Sequence, residues 1–336
     1  MSSEADARRS RTLQVVAPYW LDRPDGEVLE IAEQALRSGF DTMWLGEMAT
    51  FDVFALATAV GLRAPGLALK LGPLALGVRS PVALALGVAS VATLTGARVD
   101  LALGASSPVI VNLWHDRPWG SLAPRARETV EALRSILAGE RAAYAGEHVR
   151  AHGFRLRQPQ PQTKITLAAF GPSMTRVAAA VADEVVLNLV TPEHVAGVRA
   201  VVDAEAEAVG RDAAEIAVWV SAALDPDERA LEQMAAQIAV YLQPPGYGEM
   251  FAELGFGALV ERARSGVGRA QLAQDVPVEL LRQVCAIGSA VEIEERVASY
   301  RAAGATRIGI APATAEDPAG ARVLTALAGA PADAPR

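Results

Sequence analysis

The 336-residue sequence predicts an α/β fold in which eight parallel strands alternate with helices and close into a (β/α)8 barrel. Three observations predict it. Short β-type runs recur along the chain, separated by longer stretches with apolar residues at helical spacing. Hydrophobic residues make up 51% at a mean hydropathy of +0.21, enough for a large core. The length is great for one average domain but ordinary for a single TIM barrel with insertions. The predicted strands are Leu13–Ala17, Thr42–Leu45, Ala68–Ala75, Val99–Leu103, Ile165–Ala169, Val185–Leu189, Ile216–Ser221 and Arg307–Ala311. Helical periodicity is plain in GEVLEIAEQALRSGF, where Val28, Ile31, Ala32, Ala35 and Leu36 form one stripe and Gly39 ends it.

Two segments exceed a minimal barrel. Residues 140–163 carry short alternating runs and a Pro-rich exit, the pattern of a small hairpin inserted after helix four. Residues 243–285 form a long excursion after helix seven, and long insertions on a barrel are usually lids or substrate walls. The expected organisation is a polar, disordered tail over 1–12, a single domain over 13–328 and a flexible tail over 329–336. DVFALATAVGL (52–62) has no charge after its first residue and PVALALGVASVATLTG (81–96) has none. A barrel helix facing water should show a polar face. These two are expected either to lie beneath the insertions or, as the favoured reading, to form a homodimer interface, with Ala85 or Ala89 as probes of its outer face.

Bulk chemistry excludes several classes. A net charge of −8 and a pI near 5.2 argue against nucleic acid, which needs a basic face. Gly, Pro or charge breaks every apolar run short of a membrane span, and the polar N-terminus MSSEADARRSRT has no signal-type apolar core. Cys285 is the single cysteine, so no internal disulfide can form; a cytoplasmic location is expected.

The candidate chemistry gathers at strand exits, where a barrel carries its active site. Strand five ends in AAFGPSMTR (168–176), where Gly171 and Pro172 would open a helix. Its N-terminus suits a phosphate around Ser173, or is simply a well-capped helix start. Strand two ends in MWLGEMATFD, placing Glu47 at the mouth to meet a cofactor or to cap the next helix. Gly72 and Pro73 interrupt strand three and suggest a bulge. His148 and His152 have i,i+4 spacing without a helix, so no metal is expected. Lys164 is read as the barrel-strand lysine and sits at the wrong end of strand five for a Schiff base. No GxSxG elbow, CxxC pair or GxGxxG fingerprint follows a strand. The shortage of nucleophiles and metal ligands favours chemistry carried by a bound cofactor.

One stretch stands out. LALGASSPVIVNLWHDRPWG leaves strand four through Ala105, Ser106 and Ser107, then places two of five tryptophans and one of four histidines between Trp114 and Trp119. These aromatics either pack the loop onto the rim or wall a pocket, and His115 could move a proton near neutral pH.

TGARVDLALGASSP, WHDRPWG, RARETVEALRSILAGE with YAGE, LRQPQPQTKITLAAFGPSMTRVAAAVADEVVLN, PPGYGEMFAELGFG and AIGSAVEIEERVASYRAAGATRIGIAP follow one another in an order that resembles the bacterial luciferase-like oxidoreductases, and within them the subgroup using the deazaflavin coenzyme F420. The resemblance implies a flavin-type ring held across the strand ends on a strand-three bulge at Pro73, Leu74 and Ala75. It further implies Ala105, Ser106 and Ser107 beside the ring. Ala169 would lie at the strand-five exit, with Gly171, Pro172, Ser173 and Met174 receiving the phosphate. Glu47 would occupy the acidic position after strand two, with cofactor-binding and catalytic roles. His115 would be a second catalytic residue, and Trp114 and Trp119 would line the substrate pocket. Related deazaflavin sugar-phosphate dehydrogenases carry a histidine after that acid and a glutamate after strand four, where this chain has Met48 and Ser107. Hydride transfer between F420 and a small organic molecule is therefore expected, with a separate F420 or flavin reductase as supplier. An FMN-dependent two-component monooxygenase and a cofactor-free binding barrel are the alternatives.

Overall fold

The computed structural model describes residues 12–244 and 246–328. Its strands are β1 (Leu13–Val16), β2 (Thr42–Leu45), β3 (Ala68–Ala75), β4 (Val99–Gly104), β5 (Ala143–Ala145), β6 (Arg150–His152), β7 (Ile165–Ala168), β8 (Glu184–Asn188), β9 (Glu215–Leu224), β10 (Ala286–Gly288) and β11 (Arg307–Pro312). The hydrogen-bonded order is β9-β11-β1-β2-β3-β4-β7-β8, and β8 also pairs with β9. Eight parallel strands thus form a closed TIM-type barrel, as the alternating pattern predicts. β10 adds beside the end of β9, with Ala286 opposite Ala222. β5 and β6 make an antiparallel hairpin after the fourth helix, with Ala143 opposite His152.

The helices are α1 (Glu27–Arg37), α2 (Val53–Arg63), α3 (Pro81–Thr95), α4 (Leu122–Leu137), α5 (Pro172–Val181), α6 (Pro192–Val209), α7 (Glu228–Tyr241), α8 (Tyr247–Phe251), α9 (Gly257–Arg264), α10 (Arg269–Asp275), α11 (Val278–Val284), α12 (Ala290–Ala302) and α13 (Ala321–Ala328). The excursion after α7 is therefore helical, α8 to α11. Among the described residues no helix is long and apolar enough to cross a membrane. The expected tails lie outside the described residues except at Thr12. That residue is held, because its carbonyl accepts from Ile308 N and its Oγ1 from Arg301.

Contacts divide the chain into two compact units. One comprises the chain through Phe40, Leu187–Ala196 and Val218 onward. In it, α1 buries Val28, Ile31, Ala32 and Ala35, whereas Leu36, expected in the same stripe, is 36% exposed. Glu27 is buried and accepts from both Arg23 and Thr314 Oγ1, and Gln233 accepts from the backbone of Thr314. Burial pushes the Cys285 thiol up to about 12, so this cysteine is an inert core residue.

The other unit comprises Asp41–Val186 and Gly197–Ala217. Asp52 caps α2 by accepting from Phe54 N and Ala55 N, and Ser80 with Pro81 starts α3. α2, charged only at its terminal Arg63, and the uncharged α3 meet through glycines. A Cβ at Gly61 would lie 2.7 Å from Thr95 Cγ2, and one at Gly87 would lie 2.3 Å from Phe54 Cζ. Ala85 and Ala89, the expected outer-face probes, both point inward (0% and 3% exposed); Leu62, Leu86 and Leu94 are the exposed apolar residues. One turn of helix separates the buried Leu84–Ala85 pair from the buried Val88–Ala89 pair, and Leu86, between them, falls on the opposite, exposed face.

A buried charge pair lies in this unit. Lys70 Nζ on β3 donates to Glu184 Oε1 and Oε2 on β8 at 2.6 and 2.8 Å, and stands 4.4 Å from the Trp44 ring centroid. Lys70 lies inside a predicted strand, so the reading of Lys164 as the barrel-strand lysine is corrected. Lys164 sits before β7 and pairs on the surface with Glu215.

Candidate functional site

All the site residues read from the sequence belong to the Asp41–Val186 part of the chain. β2, β3, β4 and β7 are hydrogen-bonded neighbours running parallel, so their exits share one edge. At inter-strand spacing that row is about 15 Å wide.

The strand-three interruption is a bulge. Pairing with β4 shifts register between Leu71 and Leu74, and the Gly72–Pro73 peptide is cis. Gly72 has φ +122°, and a Cβ there would sit 2.2 Å from Ala102 O, so only glycine fits. Pro73 and Ala75 are half-exposed on one side of the strand, while Leu74 is buried in the core. Beside the bulge, a Cβ on Gly104 would come within 3.1 Å of Pro73 Cβ and 3.2 Å of Ala168 Cβ. The surface between β3 and β7 is therefore flat. Leu74 and the buried Ala169 can offer a ligand only backbone.

Past β2, Glu47 Oε1 accepts from Arg79 Nη2 at 2.8 Å, and the same nitrogen donates to Asp52 Oδ2 at 2.8 Å. Burial lowers the affinity of the Arg79 guanidinium for its proton, but the Glu47 and Asp52 carboxylates outweigh that and raise its pKa. Glu47 Oε2 is buried without a hydrogen-bond partner among the described residues. An orphaned carboxylate oxygen at a strand exit suits a ligand's N–H or O–H.

Past β7, Gly171 is the N-cap of α5 and no side chain caps the helix. Gly171 and Ser173 are exposed, Met174 is half-exposed, and a Cβ on Gly171 would meet nothing within 4 Å. The start of α5 thus has no side-chain cap and open space beside Gly171, as a phosphate site requires. A flat floor, a lone acceptor and an uncapped helix start, along one row of exits, fit a planar ring carrying a phosphate-bearing tail.

Past β4 the chain makes a π-helical segment, Val109–Trp114. Ser107 Oγ accepts from Ile110 N at its start, and Asn112 Nδ2 donates to Arg117 O beyond its end. Ser106, Asp116 and Ser121 all adopt positive φ, a concentration of strained backbone of the kind found at functional loops. Trp119 Nε1 donates to Ala105 O at 3.0 Å, tying the loop to the strand exit. Trp119 therefore anchors the loop. Trp114 is 53% exposed, and His115, Val109 and Leu113 of the same segment are exposed as well. Met48 is exposed and Ser107 serves as a cap, so neither supplies acid–base chemistry.

Among the described residues no group of three His, Cys, Asp or Glu side chains could hold a metal. In the unit containing β1, His194 is half-buried at the start of α6, and burial lowers its pKa against the opposing pull of Glu253. The same unit holds a cleft of about 210 Å³ with Asp225, Asp227, Glu316, Asp317 and Arg322 in its lining. Three of these four carboxylates have structural work: Asp227 caps α7, Asp317 accepts from the backbone of Arg322 and Val323, and Glu316 pairs with Arg229. Sequence reasoning missed Arg79. The only signal was the second cation in KLGPLALGVRSP, which follows the strand-three exit.

Comparison with known proteins bears on the family and the fold. The chain is 26% identical over 199 residues to a 5,10-methylenetetrahydromethanopterin reductase of Methanolobus tindarius, covering 58% of this chain and 61% of that one. The chain thus spans about three fifths of the length of that curated relative. A coenzyme F420-dependent tetrahydromethanopterin reductase from Methanopyrus kandleri superposes with a TM-score of 0.78 at 16% identity, over 95% of this chain and 97% of that one. An F420-dependent secondary alcohol dehydrogenase, in complex with an F420–acetone adduct, gives a TM-score of 0.74 at 17% identity, over 94% and 98%. At these identities the structures show a shared fold. The luciferase-like monooxygenase sequence profile matches residues 14–307, nearly the whole described chain. The chain belongs to the luciferase-like monooxygenase family, a family of oxidoreductases.

Proposed function

We propose that this protein is an F420-dependent oxidoreductase acting on a small organic substrate. The observation that carries the reading is the row of exits from β2 to β7: bulge, flat floor, orphaned Glu47 oxygen and uncapped α5. F420, when bound, supplies hydride chemistry. The chain's own part is to seat the ring on Pro73 and Ala75 beside Gly104, with Ala105 to Ser107 at its edge. Glu47 accepts a hydrogen bond, and the N–H groups of Gly171, Ser173 and Met174 hold the phosphate, with Pro172, which has no N–H, setting the first turn of α5. Reduced coenzyme comes from a separate reductase. The profile's own description, a monooxygenase, favours FMN as the second reading.

Titration of the purified protein separates them. F420 is expected to bind more tightly than FMN, and Gly171→Val to weaken F420 binding while leaving the fold intact, because its Cβ enters open space at an extended φ of −89°. Equal affinities, or FMN retained through purification, would support the monooxygenase. Neither coenzyme binding would leave a binding barrel. Unchanged F420 affinity in Gly171→Val would move the phosphate elsewhere.

His115 is assigned the proton transfer to or from substrate, with Trp114 beside it as apolar wall. General acid–base groups contribute about 10²–10⁴-fold. His115→Ala is therefore expected to lower kcat within that range while F420 affinity stays constant. A kcat loss below about threefold would make His115 a loop residue.

The exposed apolar faces of α2 and α3 are assigned to a homodimer, with a second copy covering Leu62, Leu86 and Leu94. Leu86→Asp is expected to shift the protein to monomer in light scattering at micromolar concentration. A monomeric wild type would overturn this assignment.

A further inference from the structure

We infer that Arg79 is a positioning residue of the coenzyme site, acting through Glu47 and anchored by the N-cap of α2. The inference rests on the functional reading above. Asp52 is fixed first: its Oδ1 accepts from Phe54 N and Ala55 N at 3.0 and 3.1 Å, which ties the side chain to the rigid start of α2. Its remaining oxygen, Oδ2, accepts from Arg79 Nη2. The same nitrogen reaches Glu47 Oε1, and the guanidinium carbon stands 5.5 Å from the Phe54 ring centroid, so three contacts fix its position. Arg79 and Glu47 are each 21% exposed, which keeps solvent from competing fully for the pair.

The geometry has a directional outcome. Arg79 engages one oxygen of Glu47 and leaves Oε2 buried and unpartnered. With Nη2 shared between Glu47 and Asp52, the pair is monodentate, and Oε2 takes no bond from this cation. A buried charged acceptor without a donor is costly. The donor that completes it is supplied by the ligand: an N–H of the ring system or a hydroxyl of the chain joined to it. Without Arg79, Glu47 is free to rotate and to recruit solvent, so the acceptor is no longer in place when the ligand arrives. Asp52 and Arg79 thus set the direction of a contact that neither makes.

The test is a set of F420 titrations on wild type, Arg79→Met, Arg79→Lys, Glu47→Gln and the double variant Arg79→Met with Glu47→Gln. A hydrogen bond to a charged group corresponds to about tenfold or more in affinity. Arg79→Met is expected to lose about that much, and Arg79→Lys to recover part of it through one ion pair. The double variant should bind no worse than Glu47→Gln alone, since Arg79 acts through that carboxylate. A purely structural role would lower the melting temperature without moving F420 affinity. Wild-type affinity in Arg79→Met, or losses that multiply in the double variant, would overturn the inference. A wild type that binds FMN but not F420 overturns only the functional reading, and the same series is then read with FMN. A wild type that binds neither overturns both.

Discussion

Gly72→Ala is expected to destabilise the protein by about 3 kcal/mol or more and to abolish coenzyme binding. The reason is local and double. Alanine would have to adopt φ near +122°, and its Cβ would sit 2.2 Å from Ala102 O and 2.6 Å from Leu74 N. Both neighbours are backbone, so no side chain can swing aside. Relief requires β3 to move relative to β4, which erases the register shift between Leu71 and Leu74. Pro73 and Ala75 would then leave the floor that the ring needs. Gly171→Val is the matched control for stability alone, because that glycine has an extended φ and nothing near its Cβ. The measurement is urea and thermal unfolding of both variants alongside F420 titration. A Gly72→Ala protein whose melting temperature lies within about 2 °C of wild type would show that the bulge tolerates a side chain.

How much of this was legible beforehand differs between backbone and side chains. The eight barrel strands were readable because β-type runs and helical stripes alternate along the chain; their observed ends differ by at most three residues, the largest being β9, which runs to Leu224 rather than Ser221. The bulge at Gly72–Pro73 announced itself through two residues that regular strands avoid. The start of α5 did so through Gly171 and Pro172. Orientation was harder to read. Ala85 and Ala89 were plausible outer residues of α3 because a helix apolar all round gives no polar face to set its phase. Leu36 was harder to place for a different reason: it lies at the edge of a stripe whose polar face is otherwise well defined. Long-range pairs were invisible. Arg79 reaches Glu47 across 32 residues and Lys70 reaches Glu184 across 114, and neither spacing has a local signature. Lys70 was concealed further by its apolar neighbours in LALKLG, which read as an uninterrupted buried strand.

The concealed lysine carries the other large effect. Lys70→Met alone, and Glu184→Leu alone, are each expected to destabilise the protein by about 3–5 kcal/mol, because each leaves one charge buried without its partner. Lys70 is 4% exposed and Glu184 1%, so solvent cannot replace the lost bond. The double variant should recover most of that loss. Paired apolar side chains of similar volume often equal a buried ion pair in stability, since the desolvation cost disappears along with the attraction. Recovery will be incomplete for a specific reason: Thr166 Oγ1 donates to Glu184 Oε1 at 3.0 Å and is itself 1% exposed. Its hydroxyl would be orphaned at a cost of about 1–3 kcal/mol. Adding Thr166→Val removes that hydroxyl, and the triple variant is expected to approach wild-type stability. The Trp44 face beside Lys70 then packs on the methionine instead of the ammonium, a contact it can accept. Urea unfolding of the two singles, the double and the triple measures this. Singles that each cost less than about 1 kcal/mol would show that the charges are not held in a low-dielectric interior. A double variant as unstable as the sum of its singles would show that Lys70 and Glu184 act independently, and that their short bond is not what holds β3 to β8.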